Sequence, residues 1–444
     1  MQTAETLYEA RWIIPVEPAG IVLDEHTLVV AADRIVALLS RADARARYPA
    51  AERVDLDHHA LLPGFVNAHT HAAMTLLRGC GAGLPLHDWL RRAIWPVEQA
   101  LVGPEFVRDG SRLAIAEMIR GGTTCFADQY FFPQETALVC ADAGMRAALG
   151  IAVIDVPTAY AANADEYLQR GLELHDEWRG HALVRTMFAP HAPYTVGDAT
   201  LARIRSYADE LDLPIHMHLH ETATEVADAL TATGERPLAR LARLGLLSSG
   251  FSAVHMTQLD DADLDALLRT GAGVVHCPQS NLKLASGFCP VARLLDAGVP
   301  VALGTDGAAC NDGLDMLTET KVAALLAKGV AADAAALPAH AALHLATLAG
   351  AHALGLAQQT GSLVAGKSAD FIAINLDDFA TTPVHDAAAA IVYAATRSQV
   401  TDSWITGRPL MRAGVLLTVD EAAGRERAAR WVPRIAAVRR GTAA

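Results

Sequence analysis

Between residues 61 and 306 short apolar runs alternate with longer stretches that mix apolar and charged positions. The runs are LLPGFVNA (61–68), TTCFAD (123–128), RAALGIAVI (146–154), LVRTMFAP (183–190), PIHMHLH (214–220), FSAVHM (251–256), GAGVVHC (271–277) and VPVALGTD (299–306). Most are near-continuously apolar, as strands covered on both faces are, and the stretches between them are long enough for helices. This α/β pattern predicts a (β/α)8 TIM-like barrel over residues 61–360.

Outside that region the pattern is different. Residues 1–60 carry RWIIPV, HTLVVA and RIVALL between turn and polar residues, and the same style returns from 361 in GSLVAGKSADFIAINL and DSWITGRPLMRAGVLLTV. The segments 1–60 and 361–444 therefore predict a small β-sandwich shared by the two chain ends, which in compact proteins are often close. An amphipathic helix, basic at its end, is expected over roughly 420–439. Residues 334–366 hold no Asp, Glu, Lys or Arg, but Pro338, His340, His344, His352 and Gln358 interrupt the run, so it predicts buried helices and no membrane span.

Composition narrows the function. Hydrophobic residues make up 52% of the 444 residues and charged ones 19%, a globular balance. A formal charge of -14 disfavours nucleic acid and anionic membrane surfaces, which need clustered Lys and Arg. The opening MQTAETLYEARW does not read as a secretory leader, so a cytoplasmic protein is expected. Six scattered cysteines without a C-x-x-C pair imply neither a disulfide framework nor a zinc knuckle.

Polar residues gather at the ends of the apolar runs: His69 and His71, His191, His216, His218, His220 and Glu221, His255, His276, and Asp306. Barrel enzymes build their sites at the C-terminal ends of their strands, and imidazole with carboxylate is a zinc-type donor set that leaves room for water. His69 and His71 converge by the two-residue period of a strand, but the same rule leaves His216, His218 and His220 equivalent. None of the four lysines (Lys283, Lys321, Lys328, Lys367) lies near the fourth run, where a carbamylated lysine would bridge two metals, so one metal is favoured. His340 and His344 share a helical face without the Glu of H-E-x-x-H and read as structural, and no G-x-S-x-G elbow is present.

Taken in order, PGFVNAHTHAAMTLLRG, HMHLHET, AVHMT, HCPQSNLKLASG and LGTDGAACNDGLDM resemble the amidohydrolase superfamily, specifically the 5-methylthioadenosine/S-adenosylhomocysteine deaminase family, over nearly the whole chain. The resemblance implies a zinc-dependent deaminase that converts the 6-amino group of adenine nucleosides to the inosine-type product and ammonia. It implies one Zn2+ per subunit, with Fe2+ or Mn2+ as substitutes, held by His69, His71, His218 and Asp306. Its H-x-x-E pattern selects His218 and Glu221 and gives His216 and His220 supporting or loop roles. Glu221 matches the proton-transferring acid, His255 and Asp306 flank the reacting water, and Trp89, Glu98 and His191 match contacts to base and ribose. His276 is expected to support the site by hydrogen bonds. The family's usual A-A-S-N reads AACND here, which places Cys310 where a small hydroxyl is customary. A relative acting on guanine or a triazine is the nearest alternative, and a non-catalytic barrel scaffold a more distant one. The expected partner is a small nucleoside, with a homodimer or homotetramer as the assembly.

Overall fold

The computed structural model describes residues 6–442. The eight apolar runs form eight parallel strands: Phe65–Thr70, Thr123–Asp128, Arg146–Val153, Val184–Pro190, Ile215–Leu219, Phe251–His255, Gly273–His276 and Val301–Leu303. Each pairs with its sequence neighbours. Phe65–Thr70, Thr123–Asp128 and Arg146–Val153 are buried at every position, because helices cover one face and the barrel interior the other. Just past the eighth strand, the Asp306 N–H donates to the His69 carbonyl at 3.0 Å and joins the last strand end to the first. Gly304 permits that approach, since a Cβ there would lie 2.7 Å from the His69 nitrogen.

The chain ends build a second, nine-stranded mixed sheet. Its order is Val415–Leu416, Arg408–Arg412, Val400–Ile405, Phe371–Asn375, Glu52–Pro63, Thr6–Ile13, His26–Ala31 and Arg34–Ser40, with Leu23–Asp24 added to Thr6–Ile13. Tyr8 pairs with Val54 and Phe371 with Pro63, at opposite ends of strand Glu52–Pro63, yet the Tyr8 and Phe371 rings are 4.8 Å apart. That strand is therefore strongly bent, and the sheet folds over a core of Tyr8, Phe371 and Trp404. The sandwich is thus one bent sheet. Gly64 marks the passage from sheet to barrel, where a Cβ would meet Thr124 Oγ1 at 2.0 Å. A buried ion pair, Arg146 Nε to Asp370 Oδ2 at 2.8 Å, ties the two bodies together.

The terminal helix, Glu421–Thr442, docks on the helix Pro104–Arg120: Trp431 packs edge-on against Phe106 and donates to Asp109 at 3.0 Å. The charge-free stretch forms the helices Ala339–Leu345 and Leu348–Ala353. Among the described residues no helix is long and apolar enough to cross a membrane. Residues 361–368, GSLVAGKS, carry the spacing of a phosphate-binding loop, but no helix follows them and the next strand is antiparallel. Lys367 is spent on Ser362 at 2.6 Å and Glu17 at 3.4 Å, so the segment lacks the strand-loop-helix geometry that cradles phosphate.

Candidate metal centre and substrate cavity

His69 and His71 leave the first strand, His218 lies on the fifth and Asp306 follows the eighth. One donor atom of each lies within 4.8 Å of all the others. His69 Nε2 is 3.1 Å from His218 Nε2 and 3.4 Å from Asp306 Oδ1, and His71 Nε2 is 3.2 Å from the same oxygen.

The opposite ring nitrogens explain how the rings are aimed. His71 Nδ1 donates to the Gln129 carbonyl at 2.6 Å and His218 Nδ1 to the His191 carbonyl at 2.8 Å. Each bond puts a proton on Nδ1 and turns Nε2 toward the cluster. His69 Nδ1 meets His216 Nε2 at 2.8 Å, which makes His216 the partner that orients His69. Asp306 Oδ2 accepts from Ser280 Oγ at 2.6 Å. Converging imidazole lone pairs beside a carboxylate repel one another unless a cation sits among them, and three nitrogens with one oxygen suit a divalent metal. The donor set fits. Burial keeps the His218 and His216 rings neutral, far below their ordinary range, and brings His69 down to about 4. Burial opposes charge on both His71 and Asp306, but their contact outweighs it: His71 is raised to about 9 and, with His69 adding to the effect, the Asp306 carboxyl is held well below its usual value, so a proton on His71 Nε2 stands where a cation would.

Glu221 and His255 sit beside the cluster. Glu221 Oε2 lies 3.7 Å from His255 Nε2, and Ser286 Oγ donates to Oε1 at 3.3 Å. Burial raises the Glu221 carboxyl, with His255 countering. His255 Nδ1 contacts Asn281 Oδ1 at 2.9 Å, which turns Nε2 toward the site. The backbone is bent here: φ is 79° at His255 and 60° at Asp306, left-handed values that cost about 1–3 kcal/mol each. The Glu221 backbone is held from both sides. Glu225 accepts from the His220 N–H at 2.9 Å and the Glu221 N–H at 2.7 Å, while Thr257 Oγ1 donates to the Glu221 carbonyl at 2.7 Å.

A cavity of about 400 Å³ opens onto these groups, a size common for small-molecule sites. Trp89, Glu98, His191 and Cys310 all line it. Trp89 is fixed by a bond from Nε1 to the Cys80 carbonyl at 2.9 Å. Tyr130 Oη donates to Glu98 Oε1 at 2.7 Å, and burial raises the Glu98 carboxyl against that bond. His191 Nδ1 contacts Thr195 Oγ1 at 2.9 Å, and burial lowers the ring to about 4, so it stays neutral. Cys310 Sγ lies 3.0 Å from the Gly307 carbonyl, with its thiol pushed up by burial.

His220 takes the loop role, and His276 departs from expectation. His220 follows the end of its strand with φ 52°, so it turns away from His216 and His218 and accepts from the Leu238 N–H at 3.1 Å. The hydrogen-bonding role expected of His276 is not found, because both its ring nitrogens are buried without a partner among the described residues. Sequence reasoning also passed over Tyr130, Glu225, Ser280, Asn281 and Ser286. Their only signal was position: Tyr130 lies two residues past the second apolar run, and the others lie in or near the motif segments.

Fold and cluster together define a barrel protein with a divalent metal centre at its mouth. The chain belongs to the amidohydrolase family, whose model matches residues 60–410. It is 47% identical over 437 residues to a 5-methylthioadenosine/S-adenosylhomocysteine deaminase of Teredinibacter turnerae, covering 98% of this chain and 99% of that protein. A crystal structure of an adenosine deaminase from Xanthomonas campestris with bound zinc is 51% identical, with a TM-score of 0.97 over 98% of this chain and 99% of the other. A triazine hydrolase variant has a TM-score of 0.87 over 98% of this chain and 99% of its own, and at 22% identity shares the fold alone.

Proposed function

We propose that the protein is a zinc-dependent hydrolytic deaminase of adenine nucleosides, of the 5′-methylthioadenosine and S-adenosylhomocysteine class. One observation carries the reading: the cavity holds the donor cluster with Glu221 and also Trp89 with Glu98, the groups a purine riboside needs. The names of the Teredinibacter and Xanthomonas relatives support it.

His69, His71, His218 and Asp306 hold the metal. When bound, a zinc ion supplies Lewis-acid chemistry that lowers the pKa of water from 15.7 to about 7. His255 and Asp306 take the proton that the attacking water gives up. Glu221, whose carboxyl burial raises, donates a proton to N1 of the adenine ring as the new C–O bond forms at C6. The hydroxyl proton of the C6 adduct then passes to the amino group, the C–N bond breaks as the C6 carbonyl forms, ammonia leaves, and the proton held by His255 and Asp306 restores Glu221, with the hypoxanthine product remaining. Trp89 packs on the base, His191 contacts the substrate, and Glu98, steadied by Tyr130, accepts from the ribose hydroxyls. Free guanine and triazines bring no hydroxyls for Glu98, which favours nucleosides over those alternatives. The reading extends to a cytoplasmic homodimer or homotetramer, which light scattering and cell fractionation test.

The functional test is a substrate panel with zinc-loaded protein, followed at the adenine-to-hypoxanthine absorbance change with ammonia quantified. Adenosine and methylthioadenosine are expected to turn over, and consumption of guanine or triazine alone would refute the reading. Glu221→Gln should lower kcat by about 10²–10⁴-fold with bound zinc unchanged.

A further inference from the structure

The cavity changes character from floor to mouth. His218, Glu221, His255 and Asp306 are buried at its floor, while Val156 at 52%, Tyr194 at 45% and Trp95 at 38% exposure mark its solvent end. Ile154, Pro157 and Leu90 continue that apolar wall. Among the described residues that line the cavity none is Lys or Arg, and the carboxylates are Glu98, Glu221 and Asp306. Arg91 and Arg92 adjoin the wall in sequence, but Leu90 and Ile94 take the cavity side of that helical turn. Both arginines are exposed, and Arg92 faces Asp88 at 3.6 Å.

We propose that the outer cavity is a subsite for a neutral, apolar 5′ substituent. On the deaminase reading above, which this inference presupposes, the protein then selects adenosine and 5′-alkylthioadenosines over a thioether that ends in an amino acid. An alkyl group gains by leaving water against Val156, Pro157 and Leu90. An α-carboxylate drawn along the same wall loses hydration and finds no Lys or Arg on that wall to replace it. The matching α-ammonium gains little, because the nearest outer acid, Glu98, is engaged by Tyr130 and the ribose.

The test compares kcat/KM of the zinc-loaded full chain for methylthioadenosine, 5′-butylthioadenosine and S-adenosylhomocysteine. The butyl compound should stay within about threefold of the methyl compound, and S-adenosylhomocysteine should fall by about tenfold or more. The loss should appear in KM, since the tail lies away from the reacting carbon. Val156→Arg should shift the ratio several-fold toward S-adenosylhomocysteine. Equal use of S-adenosylhomocysteine, an equal loss for the butyl compound, or an unchanged ratio in the arginine variant would overturn the proposal. Failure to deaminate all three would instead refute the deaminase reading on which it stands.

Discussion

Replacing Glu225 with Gln separates the positioning of Glu221 from the stability of the fold. The Glu225 carboxylate receives two consecutive backbone N–H groups, those of His220 and Glu221, at 2.9 and 2.7 Å. Gln keeps one oxygen and turns an NH₂ toward the other donor, so one charge-assisted bond is lost, at about 1.5–3 kcal/mol. Against this stands the cost of ionising the native group. Burial raises Glu225 from 4.5 to about 7, which corresponds to ~3 kcal/mol of stability present below pH 4.5 and lost as pH rises through 7. The variant does not bear that loss. At pH 8 the two effects nearly cancel, and the melting temperature should stay within a few degrees of the parent. Activity should not. A displacement of Glu221 by about 1 Å costs on the order of 10²-fold in rate, so kcat should fall by about 10–100-fold with KM and zinc content little changed. Steady-state kinetics, differential scanning fluorimetry and metal analysis of one preparation decide the matter. An unchanged kcat would show that the double N–H clamp does not position the acid.

Other perturbations isolate other parts of the site. Ser280→Ala removes the bond to Asp306 Oδ2 and should weaken zinc affinity by about 10–100-fold, measured by competition with a chelator. Tyr130→Phe frees Glu98 and should raise KM for ribosides several-fold while leaving zinc content intact; an unchanged KM would detach Glu98 from ribose binding. Glu319, buried between Gln279 and Asn311, is raised from 4.5 to about 8, so its contribution to stability is present below pH 4.5 and lost as pH climbs toward 8. Glu319→Gln should therefore lose less melting temperature than the parent between pH 5 and pH 9.

The barrel was legible because parallel strands buried on both faces leave near-continuous apolar runs, and each of the eight runs is a strand. The convergence of His69 with His71 followed from strand periodicity. That same rule made His216, His218 and His220 equivalent, and it failed at His220 because the strand ends at Leu219 and φ turns positive. The sandwich was readable as two terminal β segments, but nothing local announces that strand Glu52–Pro63 bends until Tyr8 meets Phe371. Ser280, Asn281 and Tyr130 act through partners 26 to 32 residues away in the chain, Asp306, His255 and Glu98, distances over which pattern carries no orientation. Sequence reasoning passed over the phosphate-loop spacing of GSLVAGKS, which here lacks its strand-loop-helix context.

The central claim is that His69, His71, His218 and Asp306 enclose one divalent metal. Anomalous diffraction at the zinc edge from crystals of zinc-loaded protein tests it most directly. The account predicts a single strong peak about 2.0–2.2 Å from the three Nε2 atoms and from an Asp306 carboxylate oxygen. A peak coordinated by His216 or His276 in place of His218, two peaks in the mouth, or no peak there would contradict it.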